Sequence, residues 1–290
     1  MALFRYPGGK TRYSKYILPT LFRLSRFSLY VEPFVGGGSV ALAMAKQYPN
    51  VKLILNDFDS GIAAFWDLLA TGDDVELAAL AERVSSTHPT VDLFSEIKNS
   101  QPKDKLERAF RSFFLNRTSY GGMGVRPLGG KNQASKDKIH SRWGAENLVC
   151  ELFEARKLLY GRTEVHNDDF AKVIPIAQAG SIMFLDPPYY KAGNSLYKFA
   201  WSDADHVRLR DAVAGMNNWV MSYDDHQRIR ELYKTLATVM PVKYSMGSGR
   251  KKMHELLLST RLEFPTDTNT DVGGISDTLR IWVEGYGPED

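Results

Sequence analysis

The segment that constrains the fold most is an apolar run that ends in a carboxylate, two prolines and two tyrosines. Residues 181–185 read Ser-Ile-Met-Phe-Leu, and residues 186–190 read Asp-Pro-Pro-Tyr-Tyr. A short, continuously apolar run bounded by proline is typical of a buried strand in a parallel sheet. Parallel sheets belong to α/β folds, which bind ligands beyond the carboxyl ends of their strands. The sequence therefore predicts an α/β fold with a ligand site that begins at Asp186.

The residues after this strand carry groups that suit a planar amine. Pro187 and Pro188 have no backbone N–H, so the carbonyls of this segment stay available to a ligand. Together with the carboxylate of Asp186 and the ring of Tyr189, they fit a planar group that bears an NH2, such as the edge of adenine or cytosine. The alternative is structural: Asp186 caps the strand and the prolines only end it.

A strand, a glycine-rich turn and a helix follow one another near the N-terminus. Residues 29–39 read Leu-Tyr-Val-Glu-Pro-Phe-Val-Gly-Gly-Gly-Ser, and a helix is predicted up to Lys46. Glycines let the backbone approach a ligand closely, and a helix N-terminus offers oriented N–H groups. A second predicted strand, residues 51–55, leads to Asp57, where an acid can bind ribose hydroxyls. The pattern is typical of nucleoside binding; the alternative is a tight turn without a ligand.

The glycine spacing narrows the kind of nucleoside. Gly36–Gly38 lacks the G-x-G-x-x-G spacing of dinucleotide sites, which argues against NAD and for a cofactor without a pyrophosphate, such as S-adenosylmethionine. Gly9–Thr11 resembles the end of a phosphate loop, but position 4 is Phe where that loop needs Gly. We therefore reject a triphosphate site. Two interpretations of Tyr6 and Lys10 are left open. They could offer a ring and a cation to one ligand, or they could belong to a flexible N-terminal segment.

An acidic and aromatic pair follows a third predicted strand. Residues 164–170 read Glu-Val-His-Asn-Asp-Asp-Phe. Asp169 could accept a hydrogen bond from the amino group of an adenine, and Phe170 could lie against its face. The alternative is that Asp169 caps a helix that begins near Ala171.

The composition sets the outer limits. The chain has 290 residues and is 43% hydrophobic, so it can form a sizeable core. Its formal charge of +3 permits a nucleic-acid partner but does not prove one. Its single cysteine, Cys150, excludes an internal disulfide framework and a cysteine-based zinc site, and its apolar neighbours predict it buried. No apolar run reaches membrane-spanning length and no signal peptide is visible, so we expect an intracellular location.

From about Trp66 to Tyr160 the chain reads as helical. Residues 104–114 place apolar side chains on one helical face, and Asp104 is the predicted N-cap. Residues 144–160 repeat this pattern, with one predicted apolar face made of Leu148, Leu152, Ala155 and Leu159.

Two glycine-rich loops carry clustered basic residues. Residues 123–143 are rich in Lys, Arg, Asn, Gln and Gly and include Arg126 and Lys131. Such a loop has too little apolar area to order itself, so we expect it to order on a polyanion; a solvated surface loop is the alternative. Residues 247–252, with Arg250, are a second candidate for phosphate contact.

Six tracts, taken in order, resemble those of the Dam-like adenine-N6 DNA methyltransferases. They are residues 4–10, 31–38, 56–57, 114–117, 186–189 and 250–257. The match spans nearly the whole chain, and its order is that of the subgroup with a target-recognition region between the cofactor and catalytic motifs. The resemblance implies a Rossmann-like methyltransferase fold with a mostly parallel sheet. Residues 1–66 and 161–290 would form the catalytic domain, and residues 67–160 an inserted, mainly helical DNA target-recognition domain.

The resemblance also implies a role for each matching position. The catalytic positions are Asp186, Pro187, Pro188 and Tyr189. The positions for S-adenosylmethionine are Tyr6, Lys10, Pro33, Phe34, Gly36, Gly38, Asp57, Asp169, Phe170 and Asp186. The DNA-contacting positions are Arg5, Asn116, Arg117 and Tyr120, to which the basic loops add Arg126, Lys131 and Arg250. Tyr6 stands where many relatives have Trp, and the loop after Gly121 differs from the GATC-reading hairpin, so no target sequence is predicted.

The predicted function is methyl transfer from S-adenosylmethionine to N6 of a flipped-out adenine in double-stranded DNA. The alternatives are a methyltransferase acting on another planar amine (cytosine N4, RNA adenine or protein Gln) and a catalytically silent DNA-binding relative. No metal and no membrane partner are predicted, and the oligomeric state is left as monomer or weak dimer. The expected setting is restriction–modification in the cytoplasm of a bacterial or phage-infected cell.

Overall fold

The structure is a computed structural model that describes residues 3–5, 10, 27–177, 180–191, 201–235, 238–246 and 251–260. The described residues fall into two compact units. The first unit holds residues 3–5, 10 and 28–177, and the second holds residue 27 together with the described residues from 180 onward. The predicted inserted domain, residues 67–160, lies within the first unit, and its boundaries remain a prediction.

Parallel strands form the sheet of the first unit. They are β1 (Leu29–Glu32), β2 (Lys52–Asn56) and β3 (Thr163–His166), in the order β3-β2-β1. Helix α1 (Ser39–Gln47) connects β1 to β2, as a parallel pair requires. Because these strands run in one direction, the segments that follow them lie along one edge of the sheet. The predicted sequence of strand, glycine turn, helix and strand is confirmed.

The helices between β2 and β3, except the last one, begin at a residue whose side chain accepts a hydrogen bond from the first helical turn. They are α2 (Ser60–Thr71), α3 (Asp74–Ser86), α4 (Val91–Asn99), α5 (Lys105–Thr118) and α6 (Ala145–Leu159), and the short helix α7 (Phe170–Val173) follows β3. Asp104 accepts a hydrogen bond from the Glu107 N–H at 2.8 Å, which confirms it as the N-cap of α5. Helices α2 and α5 pack together, and the rings of Phe65 and Phe113 stack there at 5.0 Å.

Helix α6 buries the face predicted for it. Its buried residues include Leu148, Leu152, Ala155 and Leu159. The prediction for Cys150 is wrong, because its side chain is exposed. Cys150 lies two positions from both Leu148 and Leu152, and on a helix of 3.6 residues per turn that spacing points a side chain away from the buried face.

The basic loop over residues 123–143 orders itself, contrary to the expectation that it needs a polyanion. The amide of Gln133 donates to the Leu128 carbonyl at 2.8 Å and accepts from the Ile139 N–H at 2.7 Å. Leu128, Ile139 and Trp143 are all buried. The prediction from composition gave too little weight to these few apolar side chains, of which Trp143 packs against the phenylalanine rings of α5.

The second unit contains the strand with the Asp-Pro-Pro-Tyr segment. Its elements are β4 (Ser181–Leu185), α8 (Asp203–Val213), β5 (Trp219–Asp224), α9 (Gln227–Tyr233), β6 (Thr238–Met246) and β7 (Lys251–Ser259). Strands β4 and β5 are parallel, and β7 lies antiparallel between β5 and β6. Every residue of β4 is buried, which confirms the predicted buried strand.

The two units together confirm the predicted α/β class with a mostly parallel arrangement of strands. No helix in the described part of the chain is long and apolar enough to cross a membrane.

Candidate active site

The glycine loop after β1 is held in a conformation that only glycine adopts easily. Gly36 and Gly38 have φ of 43° and 63°, in the left-handed region. The Trp66 indole N–H donates to the Gly36 carbonyl at 2.9 Å, so the loop rests on α2. Helix α1 begins directly after Gly38, with no side-chain hydrogen bond at its N-cap. Its first N–H groups are therefore suited to bind a polar ligand.

Asp57 is fixed against this loop at the carboxyl end of β2. One oxygen of its carboxylate accepts from the Gly36 N–H at 2.9 Å, and the other accepts from the Asp59 N–H at 2.9 Å. The side chain is half-buried. Its orientation is thus set before any ligand arrives, which confirms that the predicted glycine loop and the predicted acid lie together.

Asn56 lies in one of the six matched tracts, although no role was predicted for it. It is 1% exposed, and its amide donates to the Pro33 carbonyl at 2.9 Å and to the Asp168 carbonyl at 3.0 Å. The Asp168 N–H donates back to the Asn56 amide oxygen at 2.9 Å. One buried side chain therefore ties together the segments that follow β1, β2 and β3. The signal in the sequence was a polar residue at the end of an otherwise apolar strand.

Asp169 and Phe170 follow β3, and the structure shows the capping alternative for the first of them. The Asp169 carboxylate accepts from the Ala171 N–H at 2.9 Å and so caps α7 (Phe170–Val173). The ring of Phe170 lies 5.6 Å from that of Phe34. Whether this pair also contacts an adenine remains a prediction.

Two other predicted cofactor-binding residues are described by the structure, and both are buried. Lys10 is buried in the first unit, as is Pro33. Tyr6 lies outside the described residues, as does the DNA-binding candidate Arg250.

The Asp-Pro-Pro-Tyr segment is held by side chains of β5. The Ser222 hydroxyl donates to one oxygen of the Asp186 carboxylate at 2.6 Å. The Asp224 carboxylate accepts from the Tyr190 N–H and the Lys191 N–H, both at 2.8 Å. Neither Ser222 nor Asp224 was predicted as a site residue, since each lies more than 30 residues away along the chain.

The predicted catalytic residues differ in exposure. Pro187 is buried, whereas Asp186, Pro188 and Tyr189 are half-buried. The ring of Tyr189 lies 6.1 Å from that of Tyr223, at an interplanar angle of 30°. A half-buried carboxylate beside a half-buried ring at the end of a strand can bind a flat polar group by its edge and its face.

A cluster of rings and charges surrounds Tyr190. Its ring lies 4.4 Å from His226 and 4.8 Å from His206. Its hydroxyl donates to Asp203 at 3.1 Å, and this bond raises the pKa of Tyr190. The Arg228 guanidinium donates two bonds of 2.9 Å to Asp203 and lowers the pKa of that carboxyl to about 2. The cluster holds Tyr190, and with it the end of the segment that carries Asp186.

His206 is buried and held in place by its neighbours. Burial lowers its pKa, and its Nδ1 lies 2.6 Å from the Tyr223 hydroxyl. Its ring is therefore occupied in packing and in this hydrogen bond. Among the described residues, no group of three or more His, Cys, Asp and Glu side chains could hold a metal ion.

Two of the predicted DNA-contacting residues are buried. Asn116 is 3% exposed; its amide accepts from the Arg5 N–H at 2.6 Å and donates to the Arg5 carbonyl at 2.9 Å. Arg117 is 7% exposed and donates to the carbonyls of Arg142 and Leu3. Burial, and then the charge of Arg5, lower the pKa of Arg117 to about 10. Both side chains thus anchor the segment that carries Arg5.

The other predicted DNA-contacting residues that the structure describes are on the surface. Tyr120 is 60% exposed, and the guanidinium of Arg126 lies 4.6 Å from the centre of its ring. Arg5, Arg126 and Lys131 are exposed as well. The structure therefore brings an exposed aromatic ring and exposed cations to the surface of the first unit.

The strand order, the glycine loop and the Asp-Pro-Pro-Tyr segment define an α/β protein of the methyltransferase class. The chain belongs to the D12 class N6 adenine-specific DNA methyltransferase family, whose pattern it matches over residues 6–247. Membership confirms the resemblance seen in the sequence and the predicted enzyme class, adenine-specific DNA methylation. It also implies S-adenosylmethionine as the methyl donor in general and DNA as the substrate.

Relatives with curated names agree with this family. The chain is 30% identical to the DNA N-6-adenine-methyltransferase of Escherichia phage P1 over 199 residues, which is 67% of this chain and 24% of the phage protein. It therefore spans about a quarter of that relative. It is 27% identical to the Type II methyltransferase M.MjaIII of Methanocaldococcus jannaschii, over 71% of this chain and 76% of that one. It is 26% identical to the Type II methyltransferase M1.LlaDCHI of Lactococcus lactis subsp. cremoris, over 79% and 83% of the two chains.

Proposed function

We propose that this chain transfers a methyl group from S-adenosylmethionine to N6 of an adenine that has been turned out of double-stranded DNA. The observation that carries the proposal is the Asp186 carboxylate, which follows buried β4 and is oriented by the Ser222 hydroxyl at 2.6 Å. Two prolines without N–H groups come next, so this segment presents acceptors and few donors. An exocyclic NH2 group donates hydrogen bonds and is therefore complementary to these acceptors.

Asp186 would make the amine reactive through hydrogen bonds. The lone pair of the adenine N6 is delocalised into the ring, which makes the nitrogen a poor nucleophile. When its two N–H groups donate to the Asp186 carboxylate and the Pro187 carbonyl, the nitrogen moves toward tetrahedral geometry and its lone pair becomes available. When bound, S-adenosylmethionine would supply the methyl group on a sulfonium, whose S–CH3 bond would break, with its electron pair staying on sulfur, as the N–CH3 bond forms. The product nitrogen then loses a proton toward Asp186 and on to water.

Orientation supplies most of the acceleration in this scheme. Asp186 need not be a strong base, because the nitrogen becomes acidic only as the methyl group arrives. Holding the amine in line with the methyl group is the dominant contribution. Tyr189 would stack on the adenine and help to offset the few kcal/mol that base flipping costs.

The first unit has groups that fit the methyl donor. Asp57 would accept hydrogen bonds from the ribose hydroxyls, since its carboxylate is fixed by the Gly36 and Asp59 N–H groups. The Gly36–Gly38 loop and the first turn of α1 would bind the amino-acid part through backbone N–H groups. Phe34 and Phe170, whose rings lie 5.6 Å apart, would form the apolar boundary for the adenine of the cofactor.

Exposed groups of the first unit would bind the duplex. Arg5, Arg126 and Lys131 are exposed cations that suit backbone phosphates. Tyr120 is 60% exposed and suits stacking on a base, with Arg126 above its ring. Arg250, outside the described residues, is proposed as a further phosphate contact.

Methylation of mixed-sequence plasmid DNA tests the proposal. The purified chain is incubated with S-adenosylmethionine, and modified bases are read one by one by long-read sequencing. N6-methyladenine at one recurring short site is expected, and Asp186→Ala should abolish it while the fold and DNA binding are kept. N4-methylcytosine, or methylation of RNA or peptide alone, would identify a different planar amine. Wild-type activity in Asp186→Ala would refute the site, and a chain that binds no S-adenosylmethionine would be a silent relative.

A further inference from the structure

We infer that Ser222 and Asp224 are positioning residues that hold the Asp186–Lys191 segment in its reactive conformation. The inference rests on the proposed role of Asp186. Both residues belong to the carboxyl-terminal end of β5, and because they are two positions apart their side chains lie on the same face of the sheet. Each is hydrogen-bonded to the segment that follows the neighbouring parallel strand β4.

Ser222 fixes the orientation of the Asp186 carboxylate. Its side chain is 0% exposed, and its hydroxyl donates at 2.6 Å to one carboxylate oxygen. A carboxylate on a single bond can otherwise rotate, and the position of each oxygen would change with it. The hydrogen bond from a buried hydroxyl holds one oxygen in place and so determines where the other one points. An amine that must be aligned within a fraction of an ångström depends on this orientation.

Asp224 fixes the other end of the same segment. Both of its oxygens accept backbone N–H groups, from Tyr190 and from Lys191, at 2.8 Å each. Pro187 and Pro188 have no N–H to offer, so the segment can be held by few backbone donors. Asp224 uses two of them in succession. Tyr189 therefore lies between a carboxylate fixed by Ser222 and a backbone fixed by Asp224.

Ser222→Ala tests the first contact, with Ser259→Ala as its matched control. Ser259 lies on the neighbouring strand β7, is also 0% exposed, and its hydroxyl has no hydrogen-bond partner in the described part of the chain. We expect Ser222→Ala to lower kcat by about ten- to a hundred-fold, with KM for both substrates within about twofold of wild type. Ser222→Thr, which keeps the hydroxyl, should recover most of kcat. Ser259→Ala should leave kcat unchanged.

Asp224→Asn tests the second contact, with Asp225→Asn as its control. An Asn side chain has one acceptor oxygen, and its NH2 would face the second backbone N–H, so one bond is lost. Asp225 is an exposed neighbour whose carboxylate pairs with Arg230 at 2.8 and 3.0 Å. We expect Asp224→Asn to lower kcat by about tenfold or more and to weaken the fluorescence increase of a 2-aminopurine target base. Asp225→Asn should do neither.

The outcomes separate this inference from the proposed function. If the wild-type chain methylates DNA and Asp186→Ala does not, the site stands. Wild-type kcat in Ser222→Ala and Asp224→Asn would then overturn the inference alone. In a further outcome, Ser222→Ala lowers kcat by no more than Ser259→Ala does, or all variants lose kcat and melting temperature to the same extent. Either result would show a purely structural role for Ser222 and Asp224 and would also overturn the inference. Absence of methylation by the wild type would instead refute the proposed function.

Discussion

Gly38 provides a direct measure of how tightly the glycine loop packs on the helix beneath it. Its φ is +63°, and a Cβ added there would lie 2.3 Å from a ring carbon of Trp66. The left-handed conformation costs a residue with a side chain about 1–2 kcal/mol, and overpacking a core costs about 1–3 kcal/mol. We therefore expect Gly38→Ala to lower the free energy of unfolding by about 2–5 kcal/mol.

Gly161→Ala separates the two contributions. Gly161 also has a positive φ, of +76°, but an added Cβ would meet no atom within 4 Å. Only the backbone cost of about 1–2 kcal/mol should remain there. Urea-induced unfolding of the wild type and both variants, followed by circular dichroism, gives the two losses. Their difference is the free energy of the clash with Trp66.

The Gly38→Ala variant should also affect the cofactor. Trp66 donates to the Gly36 carbonyl at 2.9 Å, so an indole displaced by the added methyl group no longer supports the loop. We expect the Kd for S-adenosylmethionine, measured by calorimetry, to rise by at least about tenfold in Gly38→Ala and to stay near wild type in Gly161→Ala. If Gly38→Ala unfolds no earlier than Gly161→Ala and binds the cofactor normally, the packing of the loop on α2 does not have the importance argued for it.

Three further variants test other parts of the molecule. Arg162→Ala should lower the free energy of unfolding by about 3 kcal/mol in a urea titration, because the guanidinium donates to backbone carbonyls of two separate segments. Asp203→Asn should be less stable than wild type at pH 6, because the bond with Arg228 lowers the pKa of Asp203 from 3.8 to about 2. The stabilisation that the Asp203 carboxylate provides is therefore complete above pH 3.8 and is lost as the pH falls toward 2. The urea midpoints of the two proteins should therefore converge in acid. Tyr120→Ala should weaken duplex binding about tenfold in fluorescence anisotropy without changing S-adenosylmethionine binding, whereas Tyr160→Ala, at another exposed tyrosine, should change neither.

Features that depend on neighbours in sequence could be predicted. Strand β4 is buried on both faces, and its residues form a continuous apolar run, so its position and its burial could be predicted from this local pattern. Helix α5 could be predicted because its N-cap, Asp104, and its apolar face are both local sequence patterns. The glycine loop and Asp57 were predicted to belong together because the spacing of a strand, a helix and a strand places both at one edge of a parallel sheet.

Features that depend on contacts between distant segments could not be predicted. Ser222 and Asp186 are 36 residues apart, and a serine inside an apolar strand gives no sign of its partner. Asn56 is similar, since its amide bonds reach Pro33 and Asp168 on either side. The prediction for the basic loop was wrong for a related reason. The loop is held by Gln133 and a few buried side chains, and these individual contacts do not show in an overall composition.

Asn116 and Arg117 show why a matched motif position and a physical contact have to be argued separately. The resemblance places both in the region where the family touches DNA, yet both are buried and hydrogen-bonded to the backbone of the Leu3–Arg5 segment. Arg5 itself is exposed. A buried amide with two bonds to the Arg5 backbone fixes the point from which that guanidinium extends. The buried Arg117 guanidinium holds the same segment through the Leu3 carbonyl. The observed contacts of the two side chains are with the segment that carries Arg5, so their burial supports a role in placing that exposed cation. A contact of their own with a base or a phosphate stays a prediction.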